Sequence, residues 1–170
     1  MKVTLYMAIS IDGFVATKDG GFDWVSEIDA EHFAREIAEK GCIVVGSTTF
    51  YQFLHDLYPI AGVSNIVLSS SKKSDPNMPA TVLFAANAEQ ALQLAETKGH
   101  EEVLLIGGGH TNGAFLKENL IDEIILSVHP LILGNGIKLF ENFEKQIDLE
   151  KVRTEELGGG LVKIVYRVIK

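Results

Sequence analysis

Three stretches of the chain place glycines or hydroxyls directly after an apolar run that reads as a strand. Val103-Leu104-Leu105-Ile106 leads into Gly107-Gly108-Gly109-His110-Thr111 and then a helical segment over 112–118. Glycines allow a phosphate to approach the backbone closely, and a helix N-terminus offers free N–H groups and the positive end of a dipole. The same triplet also serves as a tight turn with no ligand. Ile43-Val44-Val45-Gly46 leads into Ser47-Thr48-Thr49-Phe50, whose hydroxyls either cap a helix or donate to phosphate oxygens. Ile66-Val67-Leu68 leads into Ser69-Ser70-Ser71-Lys72-Lys73, which by itself reads as a solvated loop. In a parallel sheet these junctions open at one edge, where open α/β sheets bind ligands, and together they can hold an extended ligand with several phosphates. A second triplet, Gly158-Gly159-Gly160, has no helix after it and reads as a hairpin turn.

Acidic candidates lie earlier. In Phe22-Asp23-Trp24-Val25-Ser26-Glu27-Ile28-Asp29, Trp24 precedes Asp29 by five residues and Phe33 follows it by four. On a helix Asp29 and Phe33 share a face, which sets a carboxylate beside an aromatic wall. Such a carboxylate can orient an amine or polarise a C=N bond for reduction; alternatively, Asp29 caps its helix and complements the dipole. Asp12, followed by Gly13, is a second candidate acid or a turn former. The stretch 19–23 is a glycine-bearing loop that reads as a lid or as a plain surface loop. His32, His55, His100, His110 and His129 lack metal-ligand spacing, so no metal site is expected. Cys42, the single cysteine, opens an apolar strand and reads as an inert core residue.

These residues need a scaffold, and the apolar pattern supplies one. Strands are expected over 3–9, 42–46, 64–69, 81–85 and 103–106, all short and apolar enough for the middle of a sheet. Helical spacing falls over 29–40 and 88–98, the latter after Asn87 as N-cap. From 121 the pattern changes to a strand over 121–129 and a hairpin of 151–157 with 161–169 around the glycine triplet. The expectation is an α/β sandwich on a mixed sheet, parallel early and antiparallel late, in one domain over residues 1–170. The 170 residues are 46% hydrophobic and 22% charged, which excludes a disordered chain. A formal charge of −8 argues against nucleic-acid and anionic-membrane partners. With no apolar run of membrane-span length, no signal-type leader and a lone cysteine, a cytoplasmic protein is expected.

In this order the stretches resemble dihydrofolate reductase and, more closely, the reductase domain of riboflavin biosynthesis. Ser10-Ile11-Asp12-Gly13 looks like the riboflavin-type start. Gly46-Ser47-Thr48-Thr49-Phe50 matches a glycine-arginine-x-threonine-aromatic motif, with Ser47 in place of the arginine. Leu68-Ser69-Ser70, Ile106-Gly107-Gly108-Gly109, Leu120-Ile121-Asp122-Glu123 and the run from Pro130-Leu131-Ile132-Leu133-Gly134-Asn135-Gly136 to Phe140 complete the set. The resemblance implies a three-layer αβα sandwich of the dihydrofolate reductase-like fold, with a C-terminal antiparallel hairpin. It implies an NAD(P)H-dependent oxidoreductase that passes hydride to a small carbonyl or imine compound, pteridine- or pyrimidine-like; a nucleotide-binding module without reductase activity is the alternative. It also implies a homodimer, with the apolar strand at 124–129 adding to an interface. NADPH is the implied cofactor and NADH the variant, because serine at 47 lacks arginine's bidentate grip on a 2′-phosphate; Lys72 or Lys73 is a substitute for that charge. By the same resemblance Ala8, Val15 and Ala16 line the nicotinamide. Gly46, Ser47, Thr48 and Thr49 meet phosphates, and Leu68, Ser69 and Ser70 the adenosine end. Gly107, Gly108, Gly109, His110 and Thr111 hold the pyrophosphate, with a cis peptide between Gly107 and Gly108. Asp29, Trp24 and Asp12 are the candidate catalytic residues, and Trp24, Asp29 and Phe33 the substrate-binding ones.

Overall fold

In the computed structural model, which describes residues 1–71 and 74–170, the apolar runs become strands β1 (Lys2–Ser10), β2 (Phe14–Ala16), β3 (Cys42–Gly46), β4 (Ser64–Leu68), β5 (Val82–Ala85), β6 (Glu102–Leu105), β7 (Glu123–His129), β8 (Ile137–Lys138), β9 (Leu149–Gly158) and β10 (Leu161–Val168). Four helices connect them: α1 (Glu27–Lys40), α2 (Ser47–Gln52), α3 (Ala88–Thr97) and α4 (Gly109–Lys117). Eight strands form the main sheet in the order β5-β4-β3-β6-β1-β7-β10-β9. From β5 to β7 every pairing is parallel, and β10 then runs antiparallel to both β7 and β9. The C-terminal hairpin turns at Gly158, Gly159 and Gly160, all at positive φ, as the triplet without a following helix implies.

Alternation along the strands divides the core. Val3, Leu5, Val44, Val103 and Leu105 face α3 and α4, where Ala91, Ala95 and Phe115 are fully buried. Tyr6, Ile43, Val45, Leu104 and Ile125 face the other way, onto Phe33 and Ile37 of α1 and Phe50 of α2. Two helices therefore cover each face, giving the expected three layers.

Several boundaries differ from the sequence expectation. Ser26, not Asp29, caps α1: its side chain accepts from the Asp29 N–H at 3.2 Å. Asn87 caps α3 as expected, accepting from Gln90 N–H at 2.8 Å. Helix α4 starts at Gly109, three residues before the expected 112, because packing overrides the poor helix propensity of its glycine-rich first turn. An added Cβ on Gly113 would collide with the Glu141 carbonyl, so this small face lets the 138–141 segment lie against the helix. The two-stranded sheet of β2 with β8 is not legible in sequence, since three residues and two residues are too short to show a period. Strand β7 lies inside the sheet between β1 and β10, and β5 and β9 are the sheet's two edges. Among the described residues no helix is long and apolar enough to cross a membrane.

Candidate active site

Because β4, β3, β6 and β1 are parallel neighbours, their C-terminal ends meet at one edge of the sheet. The turn after β3 and the turn after β6 are joined there: Gly46 N–H donates to the Gly107 carbonyl at 2.8 Å. Gly107 has φ +96°, and the Gly107–Gly108 peptide is cis, as the resemblance implies. The turns also press on each other. A Cβ on Gly108 would stand 3.2 Å from Thr49 Oγ1, and one on Gly46 would strike Thr111 Oγ1. Neither α2 nor α4 has a side-chain cap, with Gly46 and Gly108 as their N-caps. Of the two roles the sequence allows for the hydroxyls of Ser47, Thr48 and Thr49, capping of their own helix is not the one seen. First-turn N–H groups of both helices are left for another acceptor. His110 is exposed beside this turn and pairs with Glu141.

Beside the turns lies a cleft of about 250 Å³. Its walls include Ala8 at the end of β1, Val15 and Ala16 of β2, Thr49, Ile106 and Gly108, which sets the expected nicotinamide-side residues next to the glycine turn. Asp29 and Phe33 of α1 reach the same cleft, so the helical face inferred from their spacing is the one presented to it. Asp29 is 2% exposed and is the one carboxylate among the described lining residues. Its Oδ1 accepts a hydrogen bond from the Tyr6 hydroxyl at 2.6 Å. Burial, and then that bond to Asp29, pushes the Tyr6 phenol well above its ordinary pKa, so it remains a donor. Phe22, Val25, Phe53, Leu57 and Tyr58 complete an apolar surround. The 19–23 loop lines the cleft with Gly20 and Phe22 and is fastened to α2 and its end: Gln52 Nε2 donates to the Asp19 carbonyl at 3.0 Å, and Phe22 packs edge-on against Phe53 at 4.8 Å.

Other expected residues fall outside the cleft. Trp24 does not line it; its ring packs edge-on against His129 at 5.1 Å, in the turn between Phe22 and Val25 that precedes the Ser26 cap. Asp12 is a turn residue. Its carboxylate accepts from Ser10 Oγ at 2.7 Å, Leu133 N–H at 3.1 Å and Gly134 N–H at 2.7 Å, tying the start of the chain to the 130–134 segment. Slight desolvation pushes its pKa up, but these donors outweigh it and hold the carboxyl below the usual range. Ser69 is buried and Ser70 exposed at the end of β4, next to β3, and Leu68 pairs with Gly46. Lys72 and Lys73 lie outside the described residues. No group of three or more His, Cys, Asp or Glu among the described residues could hold a metal ion.

Sequence reasoning missed Tyr6, Lys163 and His129. His129 is buried, accepts at Nε2 from the Ser26 N–H at 3.2 Å and so fastens the start of α1. Lys163 is 6% exposed and pairs with Glu36 at 3.0 Å. The available signal was a polar side chain on the core-facing side of an apolar strand: Tyr6 in β1, and Lys163 between Leu161 and Val165.

The family of RibD C-terminal domains matches residues 1–163. YwjB of Bacillus subtilis (strain 168), an uncharacterised protein, is 28% identical over 162 residues, covering 92% of this chain and 92% of that one. The riboflavin biosynthesis protein RibD of Corynebacterium ammoniagenes is 28% identical over 153 residues, covering 81% of this chain and 45% of RibD, so the chain corresponds to about half of that protein. Among solved structures, a Shewanella sp. PV-4 protein described as a candidate riboflavin biosynthesis protein superposes with a TM-score of 0.84 at 26% identity over all of both chains. Acinetobacter baumannii RibD shares the fold, with a TM-score of 0.78 at 20% identity over 99% of this chain and 58% of RibD. The chain therefore belongs to the RibD C-terminal domain family, the riboflavin-type branch of the dihydrofolate reductase-like fold.

Proposed function

We propose that the protein is an NADPH-dependent reductase that transfers hydride to a small carbonyl or imine heterocycle. One observation supports this reading above the rest: a single cleft brings Asp29 and Phe33 against Ala8, Val15 and Ala16 and opens onto Gly108 and Thr49. The residues fit a dinucleotide. Two uncapped helix starts lie side by side, and side chains added at Gly46 and Gly108 would fill the space between the turns. In this reading the first-turn N–H groups of α4, with Thr49 and Thr111, take the pyrophosphate. Ser47, Ser69 and Ser70 face the adenosine end, and NADH is the alternative cofactor because position 47 carries no cation. The reduced nicotinamide supplies the hydride when bound.

The chain's own part is to orient the acceptor and manage one proton. Phe33, Phe22 and Phe53 give an apolar surround that excludes water from the reacting bond. Asp29 Oδ1 is occupied by Tyr6, so Oδ2 is the oxygen available to an N–H or protonated ring nitrogen of the substrate. A homodimer belongs to the same proposal on family resemblance, with the exposed edge strand β9 as the contact surface in place of the buried β7.

Calorimetry with NADPH and NADH, followed by cofactor oxidation with a panel of reducible heterocycles, tests the reading. Binding of a reduced cofactor and turnover of at least one compound are expected. No binding of either cofactor at millimolar concentration removes it, and binding without any turnover favours the nucleotide-binding module.

A further inference from the structure

We infer that Tyr6 is a positioning residue for Asp29: it holds the carboxylate by Oδ1 and thereby fixes Oδ2 as the oxygen presented to the reactant. What Asp29 does there rests on the reductase reading above; the Tyr6–Asp29 unit rests on geometry alone.

On α1, Asp29, Phe33 and Glu36 follow one another at helical spacing and form one stripe toward the sheet. Tyr6 of β1 and Lys163 of β10 answer that stripe. The Tyr6 ring stands 5.3 Å from the Phe33 ring on one side, and the Lys163 ammonium lies 5.9 Å from its centroid on another. Lys163 is itself held by Glu36 at 3.0 Å, so the cation over the ring is fixed rather than wandering. The phenol is thus gripped by an aromatic ring and a buried ion pair, and its hydroxyl points to Asp29.

A packing role alone does not explain the hydroxyl. Phenylalanine would fill the same volume, and burying a hydroxyl is costly unless a partner satisfies it. Its partner is the carboxylate in the cleft, and a hydrogen bond to an ionised acceptor is roughly twice as strong as a neutral one. Without that donor, Oδ1 loses the side chain that holds it and the carboxylate is free to turn about its Cβ–Cγ bond.

The test is a pair of high-resolution crystal structures, wild type and Tyr6→Phe, with NADPH titrated by calorimetry into both proteins in solution. The expected result is one Asp29 carboxylate conformer held by the Tyr6 hydroxyl in the wild type and a turned or split carboxylate in Tyr6→Phe, while NADPH affinity stays within about twofold. A carboxylate in the same single orientation in both overturns the inference, because a purely structural tyrosine would leave it there. Should Tyr6→Phe fail to fold, a high-resolution crystal structure of the wild type decides: a Tyr6 hydroxyl beyond hydrogen-bond reach of Asp29 overturns it, and one within reach supports it. The two claims separate cleanly. Absent NADPH binding in both proteins removes the reductase reading, whereas a carboxylate turned in Tyr6→Phe still supports the pairing with Tyr6.

Discussion

At the scale of the residue, the cleft is lined by one carboxylate among the described residues. Asp29 was legible in sequence because Trp24, Asp29 and Phe33 are close in the chain and two of them share a helix face. Its partner was not, since Tyr6 lies 23 residues away on a strand and meets it only through packing of α1 on the sheet. Trp24 stands against His129 and outside the cleft lining for a related reason: spacing along the chain does not show which way each side chain of the 22–26 segment turns. The sequence leaves Asp12 as acid or turn former, and its carboxylate accepts from three donors at the turn and the 130–134 segment. The proposed reductase activity carries a prediction. Replacing Asp29→Asn keeps the shape and loses the charge, and general acid–base groups contribute roughly 10²–10⁴-fold to rate. The variant should lose at least about 100-fold in kcat/KM on whichever heterocycle the wild type reduces, with NADPH affinity changed by less than about threefold. Steady-state cofactor oxidation together with calorimetry measures both; an equally active variant would reduce Asp29 to a structural residue.

At the scale of the element, the glycines of α4 and the connection from α2 to β4 carry the argument. Alanine favours a helix over glycine by about 1 kcal/mol, so Gly113→Ala should stabilise α4 considered alone. In the folded chain the new Cβ meets the backbone of Glu141, which cannot rotate away as a side chain can. Overpacking of this kind costs roughly 1–3 kcal/mol and outweighs the propensity gain. Gly113→Ala should therefore lower Tm by at least about 2–4 °C in calorimetry, and a raised Tm would show that the 138–141 segment yields. The α2-to-β4 connection bears on the substrate. Residues 50–64 contain no lysine or arginine, and Val63 is 8% exposed and part of the core; counting back from Leu68-Ser69-Ser70, the resemblance implies that Val63 stands where folate reductases carry an arginine for the glutamate tail. A charge-assisted contact is worth about 1.5–3 kcal/mol, or roughly 10- to 100-fold in affinity. Dihydrofolate should accordingly be a poor substrate even with NADPH bound, and a kcat/KM of about 10⁴ M⁻¹s⁻¹ or more would overturn that expectation.

At the scale of the whole molecule, the fold was legible because each buried parallel strand is a near-continuous apolar run and each junction has distinctive turn residues. What stayed hidden, β2 with β8 and the polar layer of Tyr6, Glu36 and Lys163 under α1, depends on contacts between elements that no local period records. The same closely packed core sets how stability responds to alkali. Burial pushes the Cys42 thiol up to about 12 and raises the phenols of Tyr6 and Tyr58 above their ordinary values, with the bond to Asp29 adding to the rise for Tyr6. All three groups are neutral when protonated, and folding makes them hold their protons more tightly. Their contribution is therefore complete below the unfolded-state values, about 8.5 for the thiol and about 10 for the phenols, and is lost as pH rises toward the folded ones. Above about pH 8.5 the unfolded chain binds fewer protons than the folded one, so stability must fall with pH. The urea midpoint, followed by the fluorescence of Trp24, should hold steady from about pH 7 to 8 and then decline in two stages, the second beginning near pH 10. Cys42→Ala lowers the midpoint throughout by leaving a small cavity, but it should abolish the first stage and leave the second. A first stage that survives in Cys42→Ala would mean that a group other than the core thiol loses its proton there, and that the centre of the sheet responds to alkali through that group instead.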